Sequence, residues 1–311
     1  MYKPVIIRPK SHEEWLKARE EGVGASEVAA LVGLSPWETP FSLYLKKTHQ
    51  VPPTEENDAM RRGHYLEDAV VQWWMHETGE QVIKASAADI IYVHPDHPYM
   101  RVTPDRIVRG RKKILEVKST SINMGDTIPD YFLAQVTYQM YVTGIHQAEL
   151  IYIQGGLTFG RFVVDYDEEF ASFLASEVSK FWNDNVLGGK EPEAINTSDL
   201  AIKVPRSTPE KSIQADDTAL AQISQIREKK ARCEELEKEI EQLTNSLKMY
   251  MSDSEAILDG TGKVLLTWKS GKDKMSFDSK AFAAENPDLY AKYCHSTPGS
   301  RTFLIKKMKS A

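Results

Sequence analysis

Three side chains able to bind a hard cation and activate water lie close together in this chain. They are carried by Thr103-Pro104-Asp105 and, ten residues later, Glu116-Val117-Lys118. Gly110-Arg111 separates two short segments of strand character, Arg106 to Arg109 and Lys112 to Lys118, which predicts a tight hairpin. With a two-residue loop Arg109 faces Lys112, and counting outward sets Asp105 opposite Glu116. Strand alternation then puts Lys118 on the face of Glu116 and turns Leu115 and Val117 toward the core. Two carboxylates meeting across a ladder repel, and each raises the other's pKa, so the placement is unfavourable unless a divalent cation lies between them. Mg²⁺ is the natural candidate, because it takes oxygen ligands from one or two carboxylates plus phosphate and water, and it supports phosphodiester cleavage. The plainer alternative is a solvated strand face for Glu116 and Lys118 with Asp105 in a turn; the surrounding elements must decide.

Those elements are readable. Ser11 followed by Glu14 is a capping-box pattern that starts a helix running through Arg19. A second helix begins around Ala25-Ser26, after a turn punctuated by Gly22 and Gly24. Arg19 ends one helix and Ser26 opens the next, so a guanidinium, a hydroxyl and helix-start N–H groups can converge on an anion. Taken singly, Ser26 is a simple N-cap and Arg19 a solvated helix-end cation. A longer helix runs from about Asn57 to Thr78 and is closed by Gly79. Leu66, Val70, Trp73 and Trp74 fall on it at helical spacing, which makes the tryptophans core residues. Glu67 flanks that stripe, at the core margin or turned toward a cation, and Gly63 one turn earlier permits a close approach. Pro129 opens a helix that ends at Gly144, where Gln135 and Gln139, one turn apart among apolar residues, mark a face that meets something polar. Apolar runs at Ala148–Ile153 and Phe159–Val164 flank Gly155-Gly156 as a strand pair, and a helix from Glu168 to Trp182 follows. This order predicts an α/β core with a mixed sheet flanked by helices.

With 311 residues, 41% of them hydrophobic, the chain can hold one large domain and an appendage. It has no run of eighteen apolar residues, and Met1-Tyr2-Lys3-Pro4 does not start a signal peptide. Cys233 and Cys294 fit no metal spacing and suit a reducing compartment, so a cytoplasmic location, in a bacterial host, is expected. The net charge of −6 disfavours non-specific wrapping of nucleic acid. Any DNA contact must come from local cations, for which Arg61, Arg62, Arg101, Arg106, Arg109, Arg111, Lys112 and Lys113 are candidates.

A linker is expected across residues 191–215, rich in Pro and preceded by Gly188-Gly189. It divides a domain of residues 1–190 from a segment of residues 216–311. In that segment Ile226, Cys233, Ile240 and Leu247 stand seven apart, with Leu236, Leu243 and Tyr250 in the complementary register. This long amphipathic helix either self-associates as a coiled coil or folds onto the body. A small α+β extension follows, with strand-like Val264 to Trp268, a helical stretch through Tyr293 and a basic end at Lys306, Lys307 and Lys309.

Five ordered blocks carry a family resemblance: Gly22-Val23-Gly24-Ala25-Ser26, Arg62-Gly63-His64-Tyr65-Leu66-Glu67, Thr103-Pro104-Asp105, Leu115-Glu116-Val117-Lys118 and Tyr131-Phe132-Leu133-Ala134-Gln135-Val136. Together they resemble YqaJ-type phage recombinases, relatives of λ exonuclease, over roughly residues 11–185. The resemblance implies a restriction-endonuclease-like fold with a PD-(D/E)xK site. It makes Asp105, Glu116 and the Val117 carbonyl metal ligands, with Glu67 completing the shell directly or through water, around two Mg²⁺ ions for which Mn²⁺ can substitute. It implies that Lys118 orients and helps deprotonate the attacking water, and that Gln135 steadies Lys118 or a phosphate oxygen. The seven-residue spacing of Arg19 and Ser26 is similar to a clamp for a terminal 5′ phosphate. Thr103 stands where some relatives have serine, and its hydroxyl can serve alike. The resemblance further implies a homotrimeric ring around duplex DNA and a single-strand annealing partner. Three activities are then open: a 5′→3′ exonuclease resecting duplex ends, a structure- or sequence-specific endonuclease of the same fold, and a non-catalytic DNA-binding or recruitment module. The repulsive carboxylate pair weighs against the last.

Overall fold

The structure is a computed structural model that describes residues 2–52, 57–83, 90–110, 112–296, 299 and 301–305. Arg111 of the expected hairpin loop, and Lys306, Lys307 and Lys309 of the basic end, lie outside the described residues. The chain forms two compact units, residues 1–203 and 204–311. Among the described residues no helix is long and apolar enough to cross a membrane.

The first unit is built on a mixed five-stranded sheet. Its strands are β2 (Val82–Ile83), β5 (Arg106–Val108), β6 (Ile114–Thr120), β7 (Gln147–Gln154) and β8 (Thr158–Asp165), in the order β2-β5-β6-β7-β8. Only the β6–β7 pair is parallel, as its crossover through helix α5 (Asp130–Thr143) requires. A smaller antiparallel sheet joins β1 (Val5–Ile7), β3 (Ile91–Val93) and β4 (Arg101–Val102). Each of β1, β3 and β4 is only two or three residues long, too short to show a strand period in the sequence.

The strand β6 is covered on both faces. Leu115 packs with Val70, Val71 and Trp74 of helix α4 (Asp58–Thr78), whereas Ile114 packs with Val136 and Met140 of α5. Helix α5 is itself enclosed, because Ala134, Tyr138 and Val142 on its other side join the core built with α2 (Val28–Leu31) and α6 (Glu168–Lys180). That enclosure buries both of its glutamines. As expected, the α4 helix starts at Asn57, whose side chain accepts from the Met60 N–H, and ends at Gly79 with φ of 69°.

The first helix and the following turn are tied down by backbone contacts. Helix α1 spans His12–Glu20, capped by the Ser11 hydroxyl, which accepts from the Glu14 N–H at 3.2 Å. The Glu14 carboxylate turns back to the Lys10 N–H at 2.7 Å rather than closing the box on Ser11. The chain then passes so close to β4 that a Cβ on Gly22 would meet the Tyr99 carbonyl oxygen at 2.2 Å. Val23 donates to that oxygen at 2.7 Å. Only glycine fits this approach.

Residues read as a linker belong partly to the first unit. Helix α7 (Thr197–Lys203) lies within them, and its Asp199, 2% exposed, accepts from the Thr39 hydroxyl at 2.9 Å. Thr39 caps helix α3 (Pro40–Lys47), so one buried carboxylate secures both helices. In the second unit, helix α8 (Asp217–Met251) is followed by the hairpin of β9 (Ala256–Leu258) and β10 (Val264–Thr267) and by helices α9 (Ser279–Glu285) and α10 (Pro287–Tyr293).

A buried ion cluster locks α4 to the sheet. Glu149 of β7, 5% exposed, accepts from Trp74 Nε1 at 2.9 Å, Lys113 Nζ at 2.8 Å and Arg161 Nη1 at 3.3 Å. Burial alone would raise its pKa, but the bonds from Lys113 and Trp74 and the charges of Lys113 and Arg161 outweigh burial and hold it below the usual glutamate value. Glu149→Ala leaves the indole N–H without its acceptor and the Lys113 ammonium with Glu80 alone, at 3.3 Å, and is expected to cost about 1–3 kcal/mol in chemical denaturation at neutral pH. Because the folded pKa is depressed, the wild type loses this advantage as pH falls through that value, and the gap between the two proteins narrows in acid.

Candidate active site

The hairpin register is the one counted from the sequence. Arg106 pairs with Leu115 and Ile107 with Ile114, and the Val108 N–H donates to the Lys113 carbonyl at 2.9 Å. Asp105 therefore immediately precedes β5 at the level of Glu116, with Gly110 at φ of 72° in the loop. The Asp105 carboxylate accepts from the Val117 N–H at 2.7 Å. Lys118 Nζ reaches Glu116 Oε1 at 2.6 Å and lies 5.1 Å from the centre of the Phe132 ring.

Glu116 is 2% exposed and is held from α5. Gln135 Nε2 donates to Oε1 at 2.5 Å and Gln139 Nε2 donates to Oε2 at 2.7 Å. Gln135 thus holds the carboxylate, where the resemblance implied that it steadies Lys118 or a phosphate oxygen. Gln139, left out of the expected site, does the same on the second oxygen; its spacing one helical turn from Gln135 was the available signal. The side-chain oxygen of Gln139 is buried without a hydrogen-bond partner.

The electrostatics are those of a crowded acidic site. Asp105 is pushed well above the usual aspartate range, first by loss of water, then by the charge of Glu116 and also by that of Glu67; Lys118 and the Val117 N–H oppose the shift without cancelling it. Burial would lower the pKa of Lys118, but Glu116 and Asp105 more than offset this and raise it. Lys118 is accordingly held as an ammonium beside these two carboxylates, a donor able to orient a water or phosphate oxygen.

Glu67 approaches from α4 but is engaged elsewhere. Arg106 Nη1 pairs with Glu67 and donates to the Asp105 carbonyl at 2.7 Å, and Arg106 Nη2 reaches Asp68 at 2.8 Å. Among the described residues no three His, Cys, Asp or Glu side chains meet as a ready-made metal cluster. The donor set nonetheless fits a hard divalent ion: two neighbouring carboxylates, one of which strongly disfavours its ionised form, with nearby carbonyl oxygen. Mg²⁺ characteristically binds one or two carboxylates and completes its shell with water and phosphate.

Several expected DNA-facing cations are turned inward. Arg101, 9% exposed, bonds to the Pro98 and Ala18 carbonyls and pairs with Glu21 at 2.9 Å. Lys113 joins Glu149. Arg61 stays at the surface, paired with the exposed Asp58. Arg62, Arg109 and Lys112 are exposed.

Two cavities share the acidic wall. The first, about 260 Å³, brings Arg19, Ser26 and Thr103 together with Glu67, Asp105 and Glu116. The second, about 200 Å³, is lined by the same three carboxylates together with Gly63, Lys118 and Ser119. The Arg19 guanidinium lies 4.6 Å from the centre of the Trp15 ring, one turn earlier on α1. Ser26 is not an N-cap. It lies in a 3₁₀ turn, Ala25–Glu27, capped at Gly24, whose N–H is taken by the Glu27 carboxylate at 2.7 Å. The anion site expected there retains the Arg19 and Ser26 side chains but not that N–H.

Fold and site together define an α/β domain with a carboxylate–lysine centre on its central strand. Residues 14–146 match the YqaJ-like viral recombinase domain. The chain is 32% identical to the uncharacterized protein YqaJ of Bacillus subtilis (strain 168), over 96% of this chain and 95% of that protein. It belongs to the YqaJ-like viral recombinase family. It is also 24% identical to the uncharacterized protein R354 of Acanthamoeba polyphaga mimivirus, over 45% of this chain and 28% of that one. Among solved structures it is similar to the alkaline exonuclease LHK-Exo of Laribacter hongkongensis, with 24% identity, a TM-score of 0.45, and coverage of 55% of this chain and 91% of that one.

Since the ionised form of Asp105 is disfavoured, Asp105→Asn should raise the melting temperature in EDTA at neutral pH. The rise should be about 2–4 °C per kcal/mol of repulsion relieved, because the amide oxygen still accepts from Val117. The difference should shrink as pH falls below the raised pKa of Asp105 and vanish only below the ordinary aspartate range, where the side chain is neutral in the folded and the unfolded wild type alike.

Proposed function

We propose that this chain is a divalent-metal-dependent deoxyribonuclease, a 5′→3′ exonuclease of phage or prophage origin that resects duplex ends to leave 3′ single strands for strand-annealing recombination. The observation that carries the reading is the single cavity holding Arg19, Ser26 and Thr103 beside Glu67, Asp105 and Glu116, with Lys118 beyond the same carboxylates. Arg19 and the two hydroxyls suit a terminal phosphate, the guanidinium as a fork of donors and the hydroxyls as neutral ones. A 5′ phosphate held there directs the adjoining backbone toward Asp105 and Glu116. Membership in a viral recombinase family supports the recombination role.

Asp105, Glu116 and the Val117 carbonyl would hold Mg²⁺ or Mn²⁺, with Glu67 acting through water while paired to Arg106. When bound, two such ions lower the pKa of the attacking water and neutralise charge gathering on the phosphoryl oxygens. Gln135 and Gln139 keep the Glu116 carboxylate in one orientation, so no reorganisation is needed when substrate arrives. Lys118, as an ammonium, donates to the water or to a non-bridging oxygen. The family likeness also supports a homotrimeric ring and an annealing protein that receives the single strand. In such a ring the few outward cations would face the duplex, consistent with an acidic chain acting on DNA.

The test is end-labelled linear duplex in Mg²⁺ with 5′-phosphate or 5′-hydroxyl ends. The wild type should release label from 5′ ends first and prefer phosphorylated ones. Arg19→Ala should remove the preference while leaving slow cleavage of hydroxyl ends nearly unchanged. Equal rates on both ends, or release from 3′ ends, would overturn the clamp, and efficient nicking of closed circles would favour the endonuclease. Lys118→Ala should lose about 10²–10³-fold in turnover while retaining DNA binding in a mobility-shift assay.

A further inference from the structure

We propose that Trp37 is a base-stacking residue, whose indole takes the free face of an unpaired or terminal nucleobase on the DNA strand passing the carboxylate–lysine centre. This rests on the reading of the chain as a deoxyribonuclease, to which it adds a contact with a base. Trp37 is 70% exposed, the most open tryptophan among the described residues. Exposure of one apolar side chain carries little by itself. Its placement carries more. The turn between α2 and α3 that bears Trp37 is fixed by the Ser35 hydroxyl, which accepts from the Trp37 N–H at 3.3 Å and from the Glu38 N–H at 3.1 Å. Just beyond it, Thr39 is anchored to the buried Asp199.

The indole is the outer end of a continuous line of contacts that begins in the site. Lys118 Nζ lies 5.1 Å from the centre of the Phe132 ring, the Phe132 and Tyr131 ring centres are 4.3 Å apart, and Tyr131 meets Trp37 edge to face at 5.2 Å. Tyr131 falls one turn before Gln135, and Gln135 one turn before Gln139, so the face of α5 that holds Glu116 leads outward to Trp37. An edge-to-face contact uses at most one face of the indole and leaves the other open. The whole line spans a distance that a few stacked nucleotides, at about 3.4 Å each, cover.

The chemistry selects the ligand. Phosphates are met by charge, and Arg19 and Lys118 supply it; an indole offers a flat π face and no charge, which suits a base. Every base can stack on such a face, but only where one of its own faces is free, as at a duplex end or in an unpaired strand.

The test is full-length protein in Ca²⁺ with 5′-phosphorylated duplex carrying a fluorescent adenine analogue, quenched by stacking on indole, at successive positions from the end. The wild type should quench one position most. Trp37→Ala should lose that quenching and bind the duplex about 10-fold more weakly, and Trp37→Phe should keep most of the affinity. In Mg²⁺ an abasic site at the quenched position should slow the wild type and leave Trp37→Ala unaffected. No quenched position in the wild type, or unchanged quenching and affinity in Trp37→Ala, overturns the proposal. So does a Trp37→Ala protein whose only change is a lower light-scattering mass, which makes the indole a protein contact. The quenching needs no cleavage, so a wild type that stacks the base yet never hydrolyses DNA refutes the nuclease reading and leaves the role of Trp37 standing.

Discussion

Glu116 places a carboxylate at the centre of the central strand with 2% of its surface exposed. A bare ion there would lose several kcal/mol of hydration, so its surroundings must replace the water. They do so with three donors: Lys118 from the same face of β6, and Gln135 and Gln139 from α5. Helix α5 must therefore lie where its polar pair meets the strand, and the parallel β6–β7 crossover puts it there. The rest of the site is arranged around this ion. Asp105 is drawn in by the Val117 N–H yet repelled by Glu116, a conflict that a hard cation would resolve.

The handling of positive charge follows the same logic. Arg106, Arg101 and Lys113 are all drawn into ion pairs with carboxylates of this chain, so of the described cations in residues 101–113 only Arg109 and Lys112 stand exposed. Arg19 is different. It stands over Trp15 at the edge of the cavity that contains the acidic wall, supported by a turn whose path past Tyr99 requires Gly22. Arg19, with Arg101 bonded to the Pro98 and Ala18 carbonyls and to Glu21, stands beside three carboxylates and gives that cavity two electrostatic ends. On the proposed function, a phosphodiester chain with its terminal phosphate at the positive end would run toward the negative one, an asymmetry that net charge does not supply.

Much of this was legible in the sequence because it depends on local counting. The hairpin register follows from a two-residue loop and the period of a strand, so the facing of Asp105 and Glu116 was derivable. The limits of α4 followed from Asn57 and Gly79, and the polar character of one α5 face from two glutamines a turn apart. What only the tertiary structure decided were pairings across long stretches of chain. Gln135 meets Glu116 and not Lys118, Arg106 turns to Glu67, and Asp199 caps its way into the first unit through Thr39, 160 residues earlier. Each of these side chains had several partners of suitable charge available to it, and local propensity does not rank them. The choice is made by how α4 and α5 pack on the two faces of the sheet, because a buried polar group takes whichever partner the packing brings within hydrogen-bond reach, and leaving it unpaired costs more than any local preference can supply.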